Sequence, residues 1–138
     1  MSYYIVDRPF ANCIVVAGTD TGWAYHNHPD NQDTCKWNIT ETTLKGTYLI
    51  ESVAHVGRYL KLDTSDGFIH LTSDATDGYA KWLLVPYADP AGLAGTMFYI
   101  RNSVLGDQVM AVAPNFDDRI YRQKQDVAAN CHWVLIPQ

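Results

Sequence analysis

Three tryptophans divide the chain. Trp37, Trp82 and Trp133 close the similar segments "CKWNI" (35–39), "AKWLLV" (80–85) and "CHWVLI" (131–136), and they stand 45 and 51 residues apart. Upstream of each lies a second match: "YYIVDRPFANCIVVAG" (3–18), "YLIESVAHVGRYLKLD" (48–63) and "FYIRNSVLGDQVMAVA" (98–113). A repeat of this length means supersecondary units that must pool their apolar faces into one core, because none can bury its own.

The upstream segments read strand, turn, strand, in short runs rich in Val, Ile, Leu, Tyr and Phe. The middle segments, "GTDTGWAYHN", "TSDGFIHLTS" and "NFDDRIYRQK", place Gly, Asp or Asn before a short strand holding an aromatic or imidazole. Those turn residues tolerate positive φ in a tight connection. Four strands per unit follow, at about 3–7, 13–17, 23–27 and 36–40 in the first. The second unit has them at about 47–52, 59–63, 68–72 and 81–86, and the third at about 97–102, 109–113, 119–123 and 132–136. No window sustains a 3.6-residue period. Twelve short strands without helices point to a closed all-β domain, since closure removes exposed sheet edges. One domain over 1–138 is expected, with repeats of about 1–45, 46–90 and 91–138.

These repeats resemble the β-trefoil, and within it the ricin-B-chain-like lectins, which carry Gln-x-Trp near the end of each of three units. Here the tryptophan stands three times, while Cys35, Ala80 and Cys131 occupy the Gln place. "LTSDATDGYAKW" and "YHNHPDNQDTCKW" are similar to segments of the cytoplasmic β-trefoil lectins of mushrooms. The resemblance implies a shallow sugar pocket in a unit. An Asp after the second strand accepts from sugar hydroxyls, an aromatic in the third strand stacks on the ring, and an Asn three residues before the Trp adds a polar contact. A pyranose suits such a set, having one C–H face for a π-surface and hydroxyls that need fixed partners.

Carried over by position, the aromatic place is Tyr25, His70 and Tyr121, each 12 residues before its Trp. The Asp place is Ala17, Asp63 and Ala113, and the Asn place is Thr34, Tyr79 and Asn130. No unit holds the full set. The first unit offers Tyr25 with Asp20, Trp23, His26, His28 and Asn31 nearby. The second offers Asp63 and His70 with Asp66, Asp74 and Tyr79. The third offers Tyr121 and Asn130, with Asp117, Asp118 or Arg122 as substitutes for the missing Asp. Each has a plainer reading beside this one. Asp63 would cap the "TSDG" turn, and the repeated tryptophans would be core.

His26 and His28 have a spacing compatible with Zn²⁺ or Cu²⁺ on a strand face. Pro29 ends the strand at once and no third ligand is fixed, so two solvent-exposed loop histidines touching a glycan are expected, with no metal or other cofactor. A formal charge of −5, with ten scattered Lys and Arg, disfavours phosphate-backbone binding, so nucleic acid is not an expected partner. The longest apolar runs are about five residues, far short of the roughly 20 that a membrane span needs. No signal peptide is readable in "MSYYIVDRPF", and Cys13, Cys35 and Cys131 read as reduced, buried thiols; a cytoplasmic location is the expectation.

No nucleophile elbow, phosphate loop or zinc-protease helix is present, so the chain is expected not to be an enzyme. The leading expectation is a lectin whose partners are glycans or glycoconjugates, with multivalent binding, a defensive role and a homodimer left open. The alternative is a trefoil protease inhibitor acting through an exposed loop. The longest linker, "PYADPAGLAGT" (86–96), lacks the basic residue that a trypsin-type inhibitor would present.

Overall fold

The computed structural model describes residues 1–17, 22–29, 31–87, 97–112 and 118–138. Asp20, Ala113 and Asp117 lie outside the described residues, as does most of the 86–96 linker. The first unit contributes β1 (Ser2–Asp7), β2 (Cys13–Val16), β3 (Ala24–Asn27) and β4 (Trp37–Glu41). The second contributes β5 (Tyr48–Ser52), β6 (Tyr59–Leu62), β7 (Ile69–Thr72) and β8 (Trp82–Tyr87). The third contributes β9 (Met97–Asn102), β10 (Gln108–Val112), β11 (Ile120–Lys124) and β12 (Trp133–Pro137). Every boundary falls within one residue of the sequence expectation. Period-2 alternation is a local signal, so the strands were readable from the chain alone.

The first and fourth strands of each unit close a six-stranded barrel. Antiparallel pairing runs β1–β4, β4–β5, β5–β8, β8–β9, β9–β12 and back through β12–β1. Hairpins β2–β3, β6–β7 and β10–β11 cover one end. Isolated bridges Trp23↔His70, Tyr25↔Arg119 and Phe68↔Tyr121 stitch those hairpins together. This is the β-trefoil.

The core repeats three times. Ile5, Ile14, Ile50, Leu60, Ile100 and Met110 are fully buried around the three tryptophans. A buried indole must find an acceptor for its N–H. Each does so on the second strand of its own unit: Trp37 Nε1 donates to Ile14 O at 3.0 Å, Trp82 to Leu60 O at 2.9 Å and Trp133 to Met110 O at 3.0 Å. One side chain thus ties the barrel to its hairpin cap in every unit.

Two further devices repeat that the sequence did not announce. A 3₁₀ turn precedes each tryptophan, at Asp33–Cys35, Gly78–Ala80 and Ala129–Cys131. Its last residue is fully buried in all three cases, so the Gln place of the ricin-type pattern holds small side chains turned inward. Across the barrel ladder, each tryptophan faces a buried polar residue: Asp7↔Trp133, Ser52↔Trp37 and Asn102↔Trp82. Each caps the turn that follows it. Asp7 Oδ1 accepts from Phe10 N at 2.7 Å, Ser52 Oγ from His55 N at 3.0 Å, and Asn102 Oδ1 from Val104 N at 3.0 Å and Leu105 N at 3.1 Å. Buried polar atoms are tolerated where they satisfy backbone donors in this way.

Trp82→Phe removes the indole N–H that Leu60 O accepts and leaves a void where the second ring was. The expected loss is about 1–3 kcal/mol of unfolding free energy, read by urea denaturation.

Candidate functional site

The three aromatic positions have diverged into different local chemistries. In the first unit, half-buried Tyr25 pairs with Val15 across the β2–β3 hairpin and bridges to Arg119. Ala17 and Thr34 hold the places where the ricin-type pattern has carboxylate and amide.

His26 corrects an expectation. It is not a solvent-exposed loop residue but the third residue of β3, only 7% exposed. Its Nδ1 lies 3.4 Å from Asp7 Oδ2 and 3.3 Å from Asn12 Nδ2, and its Nε2 lies 3.4 Å from Asp118 Oδ1. Burial pushes the Asp7 carboxyl up from its ordinary value, against the Phe10 amide and the nearby imidazole, which pull it down. His28 is exposed and lies past the strand, so the two rings share no face. Asp118, expected as a substitute acid in the third unit, instead serves the first.

In the second unit Asp63 and His70 do come together, but Asp66 holds the closer place. His70 Nε2 lies 2.8 Å from Asp66 Oδ2 and 3.9 Å from Asp63 Oδ2. Asp63 Oδ1 accepts from Ser65 N at 2.8 Å and Ser65 Oγ at 2.6 Å, the turn-capping role. Those two bonds, Oγ first, hold the Asp63 carboxyl below the usual carboxylate range. Partial burial alone would raise Asp66. The Phe68 amide, His70 and the Trp23 indole outweigh it and leave the group lowered. The donor atoms of Asp63, Asp66 and His70 lie within 4.8 Å of one another, the set among the described residues that a divalent cation would choose. Within it the one hydrogen bond is His70 to Asp66, while Asp63 is held by Ser65. Asp74 caps its own turn through Thr76. Tyr79 packs on the core and lends its carbonyl to Asn102 Nδ2 at 3.0 Å.

The third unit builds the most complete polar set. Tyr121 OH donates to Gln123 Oε1 at 2.9 Å, and the amides of Gln123 and Asn130 pair with each other at 2.9 and 3.4 Å. Asn130 Nδ2 also reaches Val112 O at 3.3 Å. Burial, with Asp126 and Cys131 beside it, pushes the Tyr121 phenol up, so it remains a donor. Gln123 was missed in the sequence. Its position two residues after Tyr121, on the same strand face, was the available signal.

At the foot of the cap, equivalent residues Trp23, Phe68 and Arg119 meet. The Arg119 guanidinium lies 3.9 Å from the Trp23 ring centroid and 5.1 Å from that of Phe68, a cation–π closure of the hairpins. Beside it opens a groove of about 450 Å³, lined by Asp66, Gly67, Phe68, Gln108, Tyr121 and Arg122. Of the three aromatic positions, Tyr121 is the one on this wall.

No protein-family model matches the sequence, and no curated protein does. Solved structures do. A designed three-fold symmetric protein, ThreeFoil, is similar with a TM-score of 0.82 at 15% identity, over 99% of both chains. The Rhizoctonia solani agglutinin gives 0.77 at 14% identity, over 99% of this chain and 94% of that one. A GlcNAcα1-4Gal-releasing endo-β-galactosidase from Clostridium perfringens gives 0.81 at 16%, and this chain spans only 32% of its length. At such identities the likeness is one of fold, which these matches define as the β-trefoil.

Two predictions follow from the geometry. Asp63 is lowered in the fold, so its contribution to stability is present above the ordinary value of 3.8 and is lost as pH falls through the folded value. Unfolding free energies of the protein and of Asp63→Asn are therefore expected to differ at neutral pH and to converge as pH falls through the lowered folded value. In the first unit, His26→Leu copies Leu71, its second-unit equivalent, but leaves Asp7 buried without the imidazole. That change is expected to cost about 1–3 kcal/mol. Adding Asp7→Ser, the second unit's choice at Ser52, should restore most of it, as a double-mutant cycle by denaturation would show.

Proposed function

We propose that the chain is a non-enzymatic carbohydrate-binding protein, a ricin-B-like lectin whose working site is in the third unit. The single observation that carries the reading is the placement of Tyr121. It occupies the stacking position, lines the groove beside Phe68, and has its hydroxyl tied through Gln123 to Asn130, the amide position. A fixed ring beside fixed amide donors and acceptors suits a sugar, whose C–H face and hydroxyls need both.

The similarity to an agglutinin supports this reading. The endo-galactosidase is much longer than this chain, so its activity does not transfer. Pockets of this shallow kind bind weakly singly and gain by avidity on a glycan-coated surface. Recognition of foreign glycans in defence is the role such binding would serve.

The test is a glycan array on the purified protein, repeated with Tyr121→Ala and Tyr25→Ala. Glycan binding is expected in the parent, retained within about threefold in Tyr25→Ala and lost by at least about tenfold in Tyr121→Ala, as for removal of a stacking aromatic. Binding unaffected by Tyr121→Ala would move the site to another unit. Absence of any glycan signal, with inhibition of a serine or cysteine protease, would overturn the reading.

A further inference from the structure

The groove beside Tyr121 is asymmetric in what it offers a ligand. Its one carboxylate, Asp66, is committed inward. Oδ1 accepts from Phe68 N at 2.8 Å, and Oδ2 meets His70 Nε2 at 2.8 Å and Trp23 Nε1 at 3.3 Å. Its one guanidinium, that of Arg122, makes no hydrogen bond or ion pair with the described residues, whose bond to Arg122 is to its backbone N–H. The corresponding places in the other units hold buried His26 and buried Leu71, paired across their hairpins with Ile14 and Leu60 as Arg122 is with Met110. Only the third unit puts an arginine there.

The arginine is also positioned by its surroundings. Arg122 N donates to Gly67 O at 2.9 Å, which fixes its backbone against the neighbouring hairpin. Its side chain then runs over Gly67: a Cβ added there would come within 3.4 Å of Arg122 Nε and 3.8 Å of Cγ. Gly67 adopts φ +78°, which a residue with Cβ resists. The turn that glycine permits is the floor on which the guanidinium lies. A positioned guanidinium whose N–H donors no described residue takes calls for a ligand that brings acceptors, above all a planar or tetrahedral oxyanion.

We propose that the ligand of this groove is an acidic saccharide, whose carboxylate or sulfate pairs with Arg122 while its ring rests beside Tyr121. This deepens the carbohydrate-binding reading and rests on it. The negative net charge of the chain opposes such a ligand at long range. The contact therefore has to be short-ranged, and a bidentate arginine–oxyanion pair is.

The experiment uses matched glycans differing in one group: neutral, uronic-acid-terminated, sialylated and sulfated forms, tested against the parent, Arg122→Gln and Arg122→Lys, with folding checked by circular dichroism. Acidic forms are expected to bind the parent at least about tenfold tighter than neutral ones, the size of a charge-assisted hydrogen bond. Arg122→Gln should bring the ratio of acidic to neutral affinity down to about one, whatever the absolute affinity of the variant. Arg122→Lys should retain more of it for sulfate than for carboxylate, since lysine keeps the charge but loses the fork. The preference should shrink from about 0.05 to about 0.5 M NaCl as screening shortens the reach of the charge. Equal binding of neutral and acidic forms, or a preference that survives Arg122→Gln, would overturn the proposal and leave the lectin reading standing. No binding to any glycan would overturn both.

Discussion

Everything in this fold hangs on three indole N–H groups that have no water to reach. Each tryptophan fills the barrel interior with the largest side chain available, and each must place one proton on an acceptor or lose the advantage of burial. The acceptor chosen is always a carbonyl of the second strand in the same unit. That choice fixes the height of the hairpin over the barrel. From it follow the three stitching bridges between hairpins, and so the relative placing of Trp23, Phe68, Arg119 and the groove beside them. The polar residue opposite each tryptophan completes the arrangement by capping the next turn from inside.

The architecture was legible because its signals are local or repeated. Alternation within four to six residues announces a strand, and three copies of one pattern announce their common packing. The 3₁₀ turns were not legible, since three residues closed by their own backbone leave no periodicity. His26 was misread for a different reason. Its burial depends on Asp7 and Asp118, partners distant in the chain, and on a strand pairing opposite Ile14. Seen in sequence at a strand end beside His28 and Pro29, it had the marks of a solvent-exposed residue.

The site was legible only in outline. Tyr121 and Asn130 were read from their distance to Trp133, and the structure joins them, but through Gln123, whose role lies in a hydrogen bond that spacing does not encode. Asp63 and His70 come within 3.9 Å of each other, yet Asp66 is the closer partner of the imidazole. The three units thus keep one scaffold and spend their variable positions differently. The first buries an ionisable cluster, the second locks a turn, and the third leaves polar groups facing a groove. Repetition secures the fold, and departures from it locate the chemistry.

The small residues that close the 3₁₀ turns have a consequence for how the molecule can be watched. Cys35 and Cys131 sit there fully buried, as does Cys13 on β2, and none is in a disulfide. Burial also raises the Cys131 thiol above its ordinary value, which keeps the reactive thiolate scarce while the fold is closed. A thiol reagent can therefore reach these sulfurs only during transient opening of the first or third unit. The second unit, with Ala80 in the same place, is silent to it. The chain carries its own labels for asking whether a trefoil breathes one leaf at a time.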